Sequence, residues 1–88
     1  MITRKVTLKG ELPYSALHAQ RFVLLANSFA SSVILQDARG TFNGKSLLGV
    51  LSLGKLSGRE LNLLVEGRDE ERAAEALVEL LESEHSPL

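Results

Sequence analysis

Hydrophobic and polar residues alternate at the start of the chain, and the apolar spacing then lengthens to that of a helix. Residues 2–8 alternate with a period of two, which predicts a β-strand with one buried face. Arg4 interrupts this alternation and indicates either an edge strand or a strand end. Over residues 16–30 the apolar positions recur at intervals of three and four, which predicts a helix facing the core. The apolar positions of this helix are Ala19, Phe22, Val23, Ala26, Phe29 and Ala30.

The middle of the chain predicts a hairpin followed by a short helix. Alternation at residues 33–35, a turn at residues 37–40 and a return over residues 41–43 are typical of two short antiparallel strands. Residues 46–53 are short and apolar, and Gly54 follows them. This pattern predicts a small helix that ends at the glycine.

The C-terminal third predicts one more strand and a longer helix. Residues 61–65 alternate again and end at Gly67. Asp69 then predicts the N-cap of a helix, and we expect the tail at residues 83–88 to be frayed. The inner face of this last helix is expected to carry Ala73, Ala76, Leu77, Leu80 and Leu81.

The predicted order of elements is therefore βαββαβα, without an internal repeat or a linker. The chain has 88 residues, which is enough for a single domain over residues 1–88. Four short strands with amphipathic helices predict an α+β fold of two layers, an open-faced sandwich with the helices on one face of the sheet.

Charge is distributed unevenly although the net charge is only −1. Residues 1–59 carry eight lysines and arginines against two acids, whereas residues 60–88 carry two against nine. Two explanations stay open: a solvated acidic face on the last helix, or a basic half that docks an acidic partner. Because the basic residues are scattered and not interleaved with aromatic residues, we expect no nucleic-acid partner.

Composition excludes several classes of function. The chain has no cysteine, which rules out a disulfide scaffold, a thiolate metal site and thiol chemistry. The longest apolar run, residues 22–26, is far shorter than the roughly 20 residues that cross a bilayer. The first ten residues do not have the continuous apolar segment of a signal peptide. We therefore expect a cytoplasmic protein without a membrane partner, a cofactor or a metal ion.

Residues 40–46, GTFNGKS, invite comparison with the phosphate-binding loop G-x-x-x-x-G-K-[ST]. Only three residues separate the two glycines here, so the loop is too short to wrap its N–H groups around two phosphates. What remains is Ser46 at the start of a predicted helix. It is an N-cap, a site for phosphorylation, or both.

The segments NGKSLLGVLSLG at residues 43–54, RELNLLVEG and RDEERAAEAL together resemble the HPr family over nearly the whole chain. HPr proteins are small phosphocarriers of the bacterial phosphoenolpyruvate-dependent phosphotransferase system. The resemblance implies a four-stranded antiparallel sheet of order 1-4-2-3 with three helices on one face. It also implies partners resembling enzyme I, an HPr kinase or a regulator. In some lineages a dedicated kinase phosphorylates the serine of the KS pair, to which Ser46 corresponds.

The family carries its phosphoryl group on the histidine of a G-[LI]-H-A-R-P motif ahead of the first helix, and this chain departs from that motif. In the ungapped register, PYSALHA overlies GLHARPA, so Ser15 stands at the histidine, Leu17 at the arginine and His18 at the proline. Aligning LHAQR with LHAR would make His18 the carrier, but it requires three fewer residues in the helix. That deletion turns one part of the helix by about 60° against the other and breaks its apolar face. We prefer the ungapped register.

Three roles remain open for this segment. Ser15 is a good N-cap, but its hydroxyl is a poor nucleophile without a base, so phosphorelay through this position would be lost. Alternatively, His18 is a relocated acceptor, with Arg21 about 5–6 Å away as the group that stabilises the phosphoryl. The third alternative is a helix histidine without a role. We expect none for His85 in the tail.

A cluster of leucines follows Ser46 on a helix too short to bury them all. Leu47, Leu48 and Leu51, bordered by cations, predict a docking surface for a partner protein, with core packing as the alternative. The cations at this border are Arg21, Lys45 and Lys55. The leading hypothesis is a regulatory or partner-binding protein that acts through Ser46. The others are a phosphocarrier that uses His18 and a decoy domain that is not phosphorylated.

Overall fold

The computed structural model describes residues 1–7, 16–52 and 60–83. Within these ranges it contains four strands and three helices in the predicted order. They are β1 (Ile2–Thr7), α1 (Ala16–Asn27), β2 (Ser32–Asp37), β3 (Gly40–Asn43), α2 (Leu47–Leu51), β4 (Glu60–Glu66) and α3 (Glu70–Ser83). Leu8, Gly54 and the tail at residues 84–88, which includes His85, lie outside the described residues.

The strands form one antiparallel sheet in the order β1-β4-β2-β3, which confirms the predicted fold. The register brings inward-facing residues of neighbouring strands together. Val65 lies opposite Ile2 and Val33, and Leu63 lies opposite Leu35. Arg4 lies within β1, which is the outermost of the four described strands and pairs with β4, so the interruption at Arg4 marks an edge strand and not a strand end.

The core lies between the helices and one face of the sheet. In β4 buried residues alternate with half-buried ones, as expected for a strand whose inner face is covered and whose outer face is more open. Burying each large aliphatic side chain of this core contributes about 1.5–3 kcal/mol. The buried hydrophobic residues are Val6, Ala19, Phe22, Ala26, Val33, Leu35, Val50, Leu61, Leu63, Val65, Ala73, Ala74, Leu77 and Leu81.

Helix α1 ends three residues earlier than its apolar pattern predicts. The N–H groups of Ser28 and Phe29 bond to carbonyl groups three residues back, at 3.0 and 3.3 Å, and the Ser28 hydroxyl donates to the Leu25 carbonyl at 2.6 Å. These bonds satisfy the Leu25 and Ala26 carbonyls, and the helix ends at Asn27. On α3 the predicted inner face was partly wrong. Ala74, which was not predicted, is fully buried, whereas Ala76, which was predicted, is only partly buried.

Asp69 directly precedes α3, but its carboxylate does not bond to that helix. It accepts hydrogen bonds from the N–H groups of Ala30 (2.9 Å) and Ser31 (3.0 Å) and from the Ser31 hydroxyl. These donors, led by the Ser31 hydroxyl, lower the pKa of Asp69 to about 2. The side-chain hydrogen bond between near neighbours at the start of α3 is made instead by Glu70, whose Oε1 accepts from the Gly67 N–H at 3.1 Å. Asp69 thus fixes the start of α3 to the turn after α1.

Candidate functional site

Two segments predicted to carry function lie at the starts of α1 and α2. Helix α1 begins at Ala16, and Ser15 itself lies outside the described residues. His18 is the third residue of α1 and is half-buried, whereas Arg21 is exposed one turn later. The imidazole therefore lies inside the first turn of the helix and not ahead of it.

Ser46 is the N-cap of α2, which confirms the predicted capping role. Its backbone is extended (φ −107°, ψ 124°), and its Oγ accepts a hydrogen bond from the Gly49 N–H at 3.2 Å. A Cβ at Gly49 would lie 2.8 Å from the Asn43 carbonyl oxygen, so the backbone of α2 packs directly against the end of β3. This close approach fixes the position of Ser46 relative to the sheet.

The leucines after Ser46 lie on the surface. Leu48 is 76% exposed, Leu47 and Leu51 are 37% and 38% exposed, and Val50 supplies the buried contact of α2. Core packing therefore does not explain Leu48, whereas Leu47 and Leu51 are partly covered. The partner-binding role stays a prediction.

Two further exposed leucines, missed by sequence reasoning, lie on α1, which packs against α2. Leu24 is 73% exposed and Leu17 is 55% exposed, and Arg21 lies between them on the helix. Their signal in the sequence is their position: large apolar residues that lie off the buried stripe of α1. We call the five exposed residues Leu17, Leu24, Leu47, Leu48 and Leu51 the leucine patch.

Lys45, predicted to border the leucine cluster, is bonded to the segment just after α1. Its side chain is half-buried, and its Nζ donates to the Phe29 carbonyl oxygen at 2.8 Å, at the end of α1. Lys55 lies outside the described residues. Arg21, by contrast, is exposed, and it lies between two leucines of the patch on α1.

Two other properties of the site follow from the described part of the chain. Residues 1–7, 16–52 and 60–83 hold no group of three or more histidine and acidic side chains arranged for a metal ion. Across the same ranges, no helix has the length and apolarity needed to cross a membrane.

The fold and the site define a class of protein: an open-faced α+β sandwich in which a serine caps a short helix beside an exposed apolar surface. The family model described as "PTS HPr component phosphorylation site" matches residues 2–83. The chain therefore belongs to the HPr family, as the resemblance predicted.

Relatives within the family include both phosphocarriers and HPr-like proteins. The chain is 36% identical over 84 residues to "HPr-like protein Crh" of Halalkalibacterium halodurans, covering 96% of this chain and 100% of that protein. It is 38% identical over 81 residues to "Phosphocarrier protein HPr" of Lysinibacillus sphaericus, covering 92% of each.

Solved structures show the same architecture. The structure superposes on HPr-C-His from Thermoanaerobacter tengcongensis with a TM-score of 0.89 and 35% identity, over 100% of both chains. It superposes on Crh of Bacillus subtilis with a TM-score of 0.76 and 33% identity, over 99% of this chain and 100% of that chain. The family and the fold agree, and each kind of relative is represented among the matches.

Proposed function

We propose that this HPr-family protein is a regulatory, partner-binding member of the phosphotransferase system that acts through Ser46 and the leucine patch. In this proposal Ser15 occupies the place of the usual phosphoryl-accepting histidine. The observation that carries the proposal is the arrangement around α2, where a partly exposed serine cap is followed by three exposed leucines, and α1, which packs against α2, carries two more. The setting is the bacterial cytoplasm, and the partners are an HPr kinase and a regulator, both of which bind the leucine patch.

The start of α1 supports the absence of a histidine carrier. The helix begins at Ala16, so the residue directly ahead of it in the sequence is Ser15, and His18 lies within its first turn. The family motif puts its histidine ahead of the helix. A serine at that position supplies no imidazole, and a hydroxyl without a base to activate it lacks the nucleophilicity for phosphorelay.

The geometry of Ser46 supports phosphorylation at its hydroxyl. Ser46 is only partly buried, and its Oγ accepts a hydrogen bond from the Gly49 N–H. A phosphoryl group on this oxygen adds about −1.5 to −2 charge next to the leucine patch. That change is large enough to alter which partner the patch binds.

The leucine patch supports a protein partner. Exposed leucines on two packed helices form an apolar surface of the kind that mediates protein association, and Arg21 adds a positive charge within it. A partner that presents apolar side chains and an acidic residue would match this surface.

Two labelling reactions test the proposal. The protein is incubated with enzyme I and phosphoenolpyruvate, and separately with an HPr kinase and ATP, and the acid stability of the label is measured. We expect acid-stable label with the kinase, lost in Ser46→Ala and retained in the matched variant Ser52→Ala. Ser52 lies at the other end of α2 and is exposed.

The reaction with enzyme I and phosphoenolpyruvate can contradict the proposal by labelling a histidine. Acid-labile label that disappears in His18→Ala would show that the protein is a phosphocarrier. The absence of label in both reactions would leave the decoy domain and would equally contradict the proposal.

The phosphocarrier with His18 as acceptor is the second candidate, and one observation favours it. His18 and Arg21 lie three residues apart on α1, the spacing that brings two side chains to the same side of a helix. Arg21 would then stabilise the phosphoryl group on the imidazole, with enzyme I as the donor.

A further inference from the structure

Lys45 directly precedes Ser46, and both its main chain and its side chain are bonded to the end of α1. Its Nζ donates to the Phe29 carbonyl oxygen at 2.8 Å. The Asn27 side chain donates to the Lys45 carbonyl oxygen at 3.1 Å and to the Val23 carbonyl oxygen at 2.9 Å. We call Asn27 and Lys45, with these bonds, the α1 clamp.

A cation near the end of α1 is electrostatically favourable. The last carbonyl groups of a helix lack partners within the helix and carry partial negative charge. The last turn of α1, residues 24–27, is described throughout and contains no basic residue. Lys45 therefore places a positive charge just beyond the end of α1, at the Phe29 carbonyl, where α1 itself has no cation nearby in its last turn.

The backbone on either side of Lys45 is also bonded. The Asn43 side chain accepts from the Lys45 N–H at 2.9 Å, and the Asn43 carbonyl accepts from the Ser46 N–H at 3.2 Å. The Ser46 carbonyl accepts from the Val50 N–H at 2.9 Å. These bonds and the α1 clamp hold the main chain that carries the Ser46 hydroxyl.

The extended backbone at Ser46 separates the two neighbouring side chains. In an extended chain successive side chains point to opposite sides. Accordingly, the Lys45 ammonium bonds to the end of α1, whereas the Ser46 hydroxyl accepts from the N–H of Gly49 in α2. Lys45 thus acts on Ser46 through the backbone and not by contact with its hydroxyl.

We propose that Lys45 and Asn27 are positioning residues for phosphoryl transfer to Ser46, an inference that rests on the proposed function. In that transfer the Ser46 Oγ forms a bond to the γ-phosphorus of ATP as the bond to the ADP oxygen breaks, and the hydroxyl proton passes to a base of the kinase. Transfer depends steeply on the placement of the attacking oxygen. Loss of the α1 clamp therefore lowers kcat, while the leucine patch maintains KM.

Steady-state kinetics with an HPr kinase and ATP test this inference on the full chain. The variants are Lys45→Met, Lys45→Arg and Asn27→Ala, and Lys5→Met, at an exposed lysine of β1, is the matched control. We expect Lys45→Met and Asn27→Ala to lower kcat about 10-fold with KM changed less than about two-fold. Lys45→Arg keeps a cationic donor and should recover most of the rate, and Lys5→Met should match the wild type.

Asn27→Ala makes the test independent of charge, because an amide cannot attract the kinase electrostatically. A raised KM with unchanged kcat in Lys45→Met, together with wild-type kinetics in Asn27→Ala, would mean that the ammonium contacts the kinase, and it would overturn the inference. Wild-type kinetics in both variants would overturn it as well, with phosphorylation of Ser46 still standing. If the wild-type protein is not labelled at Ser46 at all, the proposed function itself fails. Thermal unfolding of each variant verifies that it is folded at the assay temperature.

Discussion

The Ser46→Ala substitution removes the side-chain cap of α2, and its effect on the free energy of unfolding follows from one hydrogen bond. Ser46 Oγ accepts from the half-buried Gly49 N–H at 3.2 Å, and α2 has only five residues. Replacing a serine N-cap by alanine costs about 1 kcal/mol. For a domain of 88 residues the entropy of unfolding is about 0.18 kcal/mol per kelvin, so the melting temperature should fall by about 5 °C.

Thermal and urea unfolding followed by circular dichroism measure this change against two further variants. Ser46→Asp keeps an oxygen acceptor at the cap and adds negative charge at the helix start, so its stability should equal or exceed that of the wild type. Ser52→Ala removes a hydroxyl that donates to the Leu48 carbonyl at 2.8 Å on the surface, and it should change stability by less than about 0.5 kcal/mol. If Ser46→Ala melts with the wild type, or Ser46→Asp is as unstable as Ser46→Ala, the capping argument is wrong.

Three further predictions concern the rest of the molecule. The folded pKa of Asp69 is about 2, below its ordinary 3.8, so its contribution to stability is complete above about pH 4 and is lost as the pH falls through 2. Between these pH values the free energy of unfolding should therefore fall less steeply with decreasing pH in Asp69→Asn than in the wild type. Equal slopes would contradict the lowered pKa of Asp69. Gly67→Ala should destabilise by about 2–4 kcal/mol in urea, because φ is +154° and the added Cβ would lie 2.6 Å from Ser31 Cα. Gly40→Ala, with φ +148° and no atom within 4 Å, should cost less, and an equal cost would refute the steric part. Because Leu48 is 76% exposed, Leu48→Ser should change the free energy of unfolding by less than about 0.5 kcal/mol. The same substitution should raise KM for an HPr kinase, and an unchanged KM would show that Leu48 is not part of the docking surface.

The order of elements could be predicted because periodicity reports which residues face the core. Alternation predicted the strands, the three- and four-residue spacing predicted α1, and the short apolar run before Gly54 predicted α2. The family resemblance supplied the order of the strands in the sheet. The end of α1 could not be predicted in this way. Phe29 is partly buried against the core although the helix has already ended, so the apolar pattern continues where the helical hydrogen bonds stop.

The candidate site was predictable where it depends on neighbours in the sequence. Ser46 caps the helix that follows it, and that relation spans three residues. The bond from Lys45 to Phe29 spans 16 residues and the bonds from Asp69 to the turn after α1 span 38 and 39. Partners so distant in sequence leave no periodic signal. Lys45 was therefore expected on the surface, and Asp69 was expected to bond to the helix that follows it.

These long-range bonds explain why the two parts of the site are expected to act separately. Lys45 and Asp69 both bond to the short stretch between α1 and β2, at residues 29–31, so the segment before α2 and the start of α3 are fixed to the same place. The leucine patch lies on the outer sides of α1 and α2, and its side chains, which have no polar atoms, form none of these hydrogen bonds. A substitution at Leu48 should therefore change affinity for a partner without moving Ser46. A substitution at Lys45 should move Ser46 without altering the apolar surface, which is why KM and kcat can be used to distinguish the two.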